Sequence, residues 1–238
     1  MREDSGLVFT SVTDHQFDLK GLNSLYNYAP IVGASGNVRD KHDLATFGLV
    51  FYYLISDHHQ AEDQILFPSL EEQSKTAGLM SINVQQHESF HSGIETLFAY
   101  LTSITKDAKA TTFDAERLQG LINSFRPALM QHLHKEISTL LECGRRFPDI
   151  DIRPIERRFE AQMRSKGYGA SPVTGLTQLL PWIIACHDRG FDGGKWAEYL
   201  PSTAKTLGRV ATWTTKLSYR GIWRFAPCSF SSELKREM

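Results

Sequence analysis

Ionisable pairs interrupt otherwise apolar stripes at helical spacing along this chain. Phe47, Phe51, Leu54, His58, Glu62 and Ile65 fall at steps of three and four, as do His87, His91, Ile94, Phe98 and Leu101. A third stripe runs Leu118, Ile122, Phe125, Leu129, His132, Glu136 and Leu140, and a shorter one His15, Leu19, Leu22 and Tyr26. Residues three or four apart share a helix face, so each stripe predicts a helix whose buried seam carries polar groups in place of core residues. Four such helices joined by short connections predict an all-α, up-down four-helix bundle.

A buried imidazole or carboxylate without a partner costs several kcal/mol, on the order of 2–7 for a neutral polar group and more for a charge. Five histidines and two carboxylates on four seams do not satisfy one another by hydrogen bonds; a metal ion removes the cost. Two residues four apart on a helix are about 6 Å apart along the axis and point the same way, so each pair grips one ion or straddles two. Three pairs and one single residue therefore suit two adjacent ions, with His15, His58, Glu62, His87, His91, His132 and Glu136 as the candidate ligands. His42 precedes His58 by sixteen residues on the same helix, about 24 Å away, too far to share the site. His59 and His134 are turned off the seams, and His187 beside Asp188 reads as a surface pair.

The segments are bounded by turn chemistry. The first helix is expected from Thr13 to Tyr28, stopping at Pro30, and the second from Val38 to Gln73. A connection around Gly78 leads to a third from Ile82 to Thr105, and the fourth spans Phe113 to Arg146 with a kink at Pro127. From Asp149 the texture changes to a basic amphipathic stretch (Arg153 to Lys166), an apolar helix candidate around Leu176 to Ala185, a Gly190 to Gly194 turn and a Trp-rich tail. The expected division is therefore 1–148 for the bundle and 149–238 for a C-terminal helical and irregular extension covering it.

Composition narrows the partners. At 238 residues and 41% hydrophobic content the chain buries a full core. A net charge of −1 and a pI near 6.8 leave no electrostatic footprint for nucleic acid or an anionic membrane. The absence of a secretory h-region and of a long apolar run predicts neither export nor a membrane span. Cys143, Cys186 and Cys228, odd in number and without a C-x-x-C pair, fit a reducing, cytoplasmic setting.

The strings His58-His-Gln-Ala-Glu-Asp-Gln-Ile-Leu-Phe-Pro68, His87-Glu-Ser-Phe-His91 and His132-Leu-His-Lys-Glu136 resemble the hemerythrin HHE cation-binding family. Asp14-His-Gln-Phe-Asp-Leu-Lys-Gly-Leu-Asn23 and Trp223-Arg-Phe-Ala-Pro-Cys228 resemble the longer hemerythrin-like proteins of filamentous fungi. The resemblance implies a non-haem diiron site, an oxo- or hydroxo-bridged iron pair with Glu62 and Glu136 bridging and the histidines as terminal ligands. It departs from oxygen-carrying hemerythrins at the last pair, where those use an aspartate one residue further from its histidine.

Imidazole with carboxylate suits iron, and a five-histidine set leaves a coordination position open. Phe51, Leu54, Phe67, Phe90, Phe98 and Phe125 are candidates for an apolar wall around bound dioxygen. Three functions are compatible with such a site: an O2-dependent oxidase or oxygenase acting on a small organic metabolite; a non-catalytic oxygen, iron or nitric oxide binding or sensing protein; and an interaction module with a structural metal. The extension favours the enzyme, because a substrate chamber needs a roof and reversible oxygen binding does not. His87-Glu88-Ser-Phe-His91 also satisfies the H-E-x-x-H pattern of zinc metalloproteases. That reading lacks the downstream G-x-x-H extension and leaves the other seam residues unexplained.

Overall fold

The computed structural model describes residues 6–165, Gln178, Trp182, Ala185, Cys186 and 221–227, with backbone alone at 6–18, 160, 164 and 165. The side chain of His15, together with His187, Cys228 and most of the expected 176–185 helix, lies outside the described residues. Among the described residues six α-helices carry the fold: α1 (Gly6–Ser35), α2 (Val38–Ala61), α3 (Phe67–Ser74), α4 (Ser81–Lys106), α5 (Ala115–Arg146) and α6 (Ile152–Ser165). A π-helical turn, Glu62–Leu66, joins α2 to α3 without a break.

Local chemistry explains the boundaries. Asn37 caps α2, its Oδ1 accepting from the backbone N–H groups of Arg39 at 2.9 Å and Asp40 at 3.4 Å. Asp114 caps α5 by accepting from Arg117 N–H at 2.9 Å, and Arg145 and Arg146 face the C-terminal end of that helix dipole. α3 ends where Lys75 turns left-handed at φ 54°.

The expectation that the first helix stops at Pro30 is overturned, because α1 continues to Ser35. Proline deprives the carbonyl four residues back, that of Tyr26, of its helical donor. Gln119 of α5 supplies a replacement, its Nε2 donating to Tyr26 O at 3.1 Å. α5 likewise runs unbroken through Pro127, which is exposed together with Asn123, so the carbonyl freed there lies on the solvent side.

α1 packs on α2 and α5, and α4 packs on α2 and α5, closing a four-helix ring in which sequential helices are antiparallel. α4 comes close to α5 at Gly93, where a Cβ would come within 2.6 Å of Phe125 Cβ.

The core is divided. One apolar cluster holds Leu22, Leu25, Phe47, Phe51, Ile55, Phe90, Ile94, Leu101, Phe125, Leu129 and Leu133, and it includes Trp182, Trp223 and Phe225 from the extension. A second holds Ile65, Phe67, Leu70, Met80, Leu140, Cys143 and Ile155. Each fully buried leucine or phenylalanine stabilises by about 1.5–3 kcal/mol. Along α2 and the π turn the first cluster ends at Ile55 and the second begins at Ile65; at the start of α4 the flanking residues are Phe90 and Met80; on the inward face of α5 they are Leu129 and Leu140. Between these limits lie His58, His59, Glu62, Asn83, His87, His132 and Glu136, all buried. The bundle thus contains a polar layer between two apolar ones.

The extension is tied to α1 and α2. The Trp182 indole lies 5.8 Å from the Phe47 ring and 6.3 Å from that of Phe51, over Gly21, where any Cβ would overlap it. Phe225 meets Tyr28 edge-on at 5.1 Å, Ser24 Oγ donates to Phe225 O, and Arg224 reaches Asp40 at 2.7 Å. α6 packs on the π turn through Ile155, Phe159 and Met163, one turn apart. No helix among the described residues is long and apolar enough to cross a membrane.

Candidate metal centre

The polar layer is assembled where α2 passes into the π turn. Glu62 opens that turn, its carbonyl accepting from Phe67 N–H five residues on. The wider turn rotates the side chains beyond it about the helix axis, and such turns recur at functional sites. Here it brings Asp63 against α4: Asp63 Oδ1 lies 2.9 Å from His87 Nδ1.

His87 and His132 face each other across α4 and α5, their Nε2 atoms 3.1 Å apart. Each ring is held from behind, His87 by Asp63 and His132 by Gln86, whose Oε1 lies 3.3 Å from His132 Nδ1. Both outer partners are oxygen acceptors, which places the proton of each neutral ring on Nδ1 and turns each Nε2 lone pair inward. Among the described residues, carboxylate acceptors stand around these lone pairs. Glu62 Oε2 is 3.5 Å from His87 Nε2, Glu62 Oε1 is 3.0 Å from His58 Nε2, and Glu136 Oε2 is 3.6 Å from His132 Nε2. Ligand atoms of His59, Glu62, His87 and His132 all lie within 4.8 Å of one another.

Electrostatics agrees with the geometry. Burial first, and then repulsion from Glu136, pushes the Glu62 carboxyl well above the usual carboxylate range, against the opposing pull of His58. Convergent lone pairs and two buried carboxylates make a site that a cation completes. The mixture of imidazole and carboxylate is an iron-compatible donor set.

Five of the seven expected ligands, His58, Glu62, His87, His132 and Glu136, are brought together. His15 lies on α1 and its side chain is outside the described residues. His91 is a correction: its side chain is 71% exposed, 3.9 Å from Glu95 and turned away from the layer. From His87 the seam of α4 steps by three to Phe90 rather than by four to His91, and then continues through Ile94, Leu97, Leu101 and Ile104. Phe90 there fills the space against His59 and His132, at ring distances of 5.0 and 5.5 Å. Glu88 is exposed as well, so the H-E-x-x-H residues face different ways and the zinc-protease arrangement is not assembled.

His59, which the period places off the seam, takes part instead. Its ring is 4.4 Å from His87 and 5.1 Å from His132, while His58 turns toward α6 and meets Phe159 at 5.7 Å. The end of α2 is buried on both sides because α4 covers one and α6 the other. The alternative stripe Phe51, Ile55, His59, Glu62 was visible in the spacing. Asp63 and Gln86 carried no periodic signal, since an orienting partner approaches a ligand from outside the seam.

Of the expected apolar wall, Phe90 and Phe67 touch the site, Phe67 lying 5.5 Å from His87. Phe51, Leu54 and Phe125 are buried in the core. Phe98 is a second correction: it is only half-buried and stacks on Tyr52 at 4.1 Å, because it shares the off-seam face of His91. His42 is bonded elsewhere, its Nε2 2.8 Å from Asp107 O.

Comparison with known proteins agrees with this picture. The chain is 29% identical over 215 residues to the "Dimeric xanthone biosynthesis cluster protein R11" of Cryptosporiopsis sp. (strain 8999), covering 90% of this chain and 75% of that one. No solved structure matches the chain significantly. The hemerythrin HHE cation binding domain matches residues 12–143, which include the whole polar layer and more than half of the sequence. The chain is a member of the hemerythrin HHE cation-binding family.

Proposed function

We propose that this protein is a non-haem diiron oxidoreductase that binds and activates dioxygen and uses it to oxidise a small organic metabolite. The observation that carries the reading is the buried layer of histidines and carboxylates, His58, His59, Glu62, His87, His132 and Glu136, closed between two apolar cores, with ligand atoms of His59, Glu62, His87 and His132 within 4.8 Å of one another. These residues would hold the metal, and a ferrous pair bound there supplies electrons to dioxygen. Asp63 and Gln86 keep the protons of His87 and His132 on Nδ1, so that both rings stay ligating. Phe67, Phe90 and Phe159 exclude water from the histidines.

Turnover rather than carriage is favoured by the relative's name, which places that protein in a biosynthetic cluster. A xanthone is a fused aromatic ring system, so an aromatic metabolite is the substrate class we assign. The test is metal analysis of anaerobically purified protein followed by exposure to oxygen. Two irons per chain and an oxygen-exposed state whose decay is accelerated by a phenolic metabolite are expected. A long-lived complex that releases oxygen on purging, with no metabolite effect, would identify a carrier instead.

A further inference from the structure

Asn83 is the member of the polar layer that belongs to none of the histidine and carboxylate pairs. It is 1% exposed, and neither its Nδ2 nor its Oδ1 has a hydrogen-bond partner among the described residues. It begins the buried stripe of α4 that continues through His87, Phe90 and Ile94, so it faces the bundle interior one turn from His87, about 6 Å along the axis. α4 and α5 are antiparallel with His87 opposite His132. Four residues back on α4 and four forward on α5 therefore bring Asn83 level with Glu136. Met80, one turn further back, already belongs to the second apolar cluster. A leucine at position 83 would join that cluster; an asparagine with unmet hydrogen bonds weakens the fold.

Its surroundings decide what it serves. The carboxylates of Glu62 and Glu136 and the ring nitrogens of His87 and His132 are acceptors turned toward the metal site. Two amide N–H donors aimed into such a layer fit an acceptor that arrives with the metal. We propose that Asn83 is the hydrogen-bond donor to a small anionic ligand held in the open coordination position, a positioning residue for whatever oxygen-derived or other anion occupies it. The proposal rests on the metal-centre reading above.

The test uses iron-loaded full-length protein titrated with azide, followed by its absorption. Asn83→Leu is expected to retain iron and to bind azide about tenfold or more weakly, as the loss of a hydrogen bond to a charged group implies. The same substitution is expected to raise the Tm of the metal-free protein by a few degrees, since it removes a buried polar group in exchange for packing. A purely structural asparagine would give the opposite sign. Asn83→Ala gives the azide readout should leucine overpack. Azide affinity within twofold of wild type in the iron-loaded variants overturns this proposal alone. A wild-type chain that takes up no iron overturns the metal-centre reading and this proposal with it.

Discussion

Asp63 offers a quantitative test of how the layer is built. Its Oδ1 lies 2.9 Å from His87 Nδ1, and its side chain is 37% exposed while that of His87 is 6% exposed. Asp63→Ala removes the acceptor that holds the imidazole proton on the outer nitrogen. The ring then divides between tautomers, and the form protonated on Nε2 cannot ligate. A hydrogen bond to a charged group contributes about 1.5–3 kcal/mol; solvent access to Asp63 reduces that to about 1–1.5 kcal/mol. The expected result is roughly a tenfold loss of metal affinity, at the low end of what orienting partners contribute at metal sites. Asp63→Asn keeps an oxygen near the same place without the charge and is expected to lose about threefold. Competition with a chelator of known affinity under anaerobic conditions measures both, with circular dichroism to establish that the helices are intact. Unchanged affinity in a folded Asp63→Ala protein would refute the argument that the outer hydrogen bond fixes the ligand.

His59→Ala is expected to lower bound metal, whereas His91→Ala and Glu88→Ala leave it at the wild-type level; metal analysis that ranks His91 above His59 would restore the seam expected from spacing alone. Gly21→Ala forces the Trp182 indole off α1, an overpacking cost of about 1–3 kcal/mol, and should lower Tm by several degrees with a change in tryptophan emission. Unaltered Tm and emission would show that the indole does not seat there. The Tyr52 phenol is pushed up to about 12, chiefly by burial and then by its hydrogen bond to Glu95. Because the folded value is raised, its contribution to stability is intact below about pH 10 and is lost as pH rises toward 12. A difference absorbance titration against Tyr52→Phe should show that phenol ionising near 12; a midpoint near 10 would contradict it.

Much of this was legible in the spacing of particular residues. His58 with Glu62 and His132 with Glu136 announced a buried polar layer because a step of four on an apolar stripe leaves little choice of direction. His87 with His91 misled because Phe90 and His91 both continue the stripe from His87. Which of them turns inward depends on the rotation of α4 against its neighbours, a property of packing rather than of one helix. The same freedom exchanged His59 for a pure His58 seam, since the end of α2 is covered by both α4 and α6. Pro30 failed as a stop signal because Gln119, nearly ninety positions later, supplies the missing donor. Asp63 reaches His87 only because the helix widens at Glu62, and no periodic pattern reports such a turn.

Trp182, Trp223 and Phe225 occupy the same core as Leu22, Phe47 and Phe51, which has a consequence for how the protein is made. A nascent chain that has reached Arg146 already owns every helix of the ring, yet its α1–α2 face still lacks these rings. About 80 further residues must emerge before Phe225 is available, roughly 4 to 16 s of synthesis at usual elongation rates. Until Trp182 and then Phe225 emerge, Phe47 and Phe51 lack the rings that cover them in the finished fold. Completion of the core is thus timed by translation of the C-terminal segment, not by folding of the bundle.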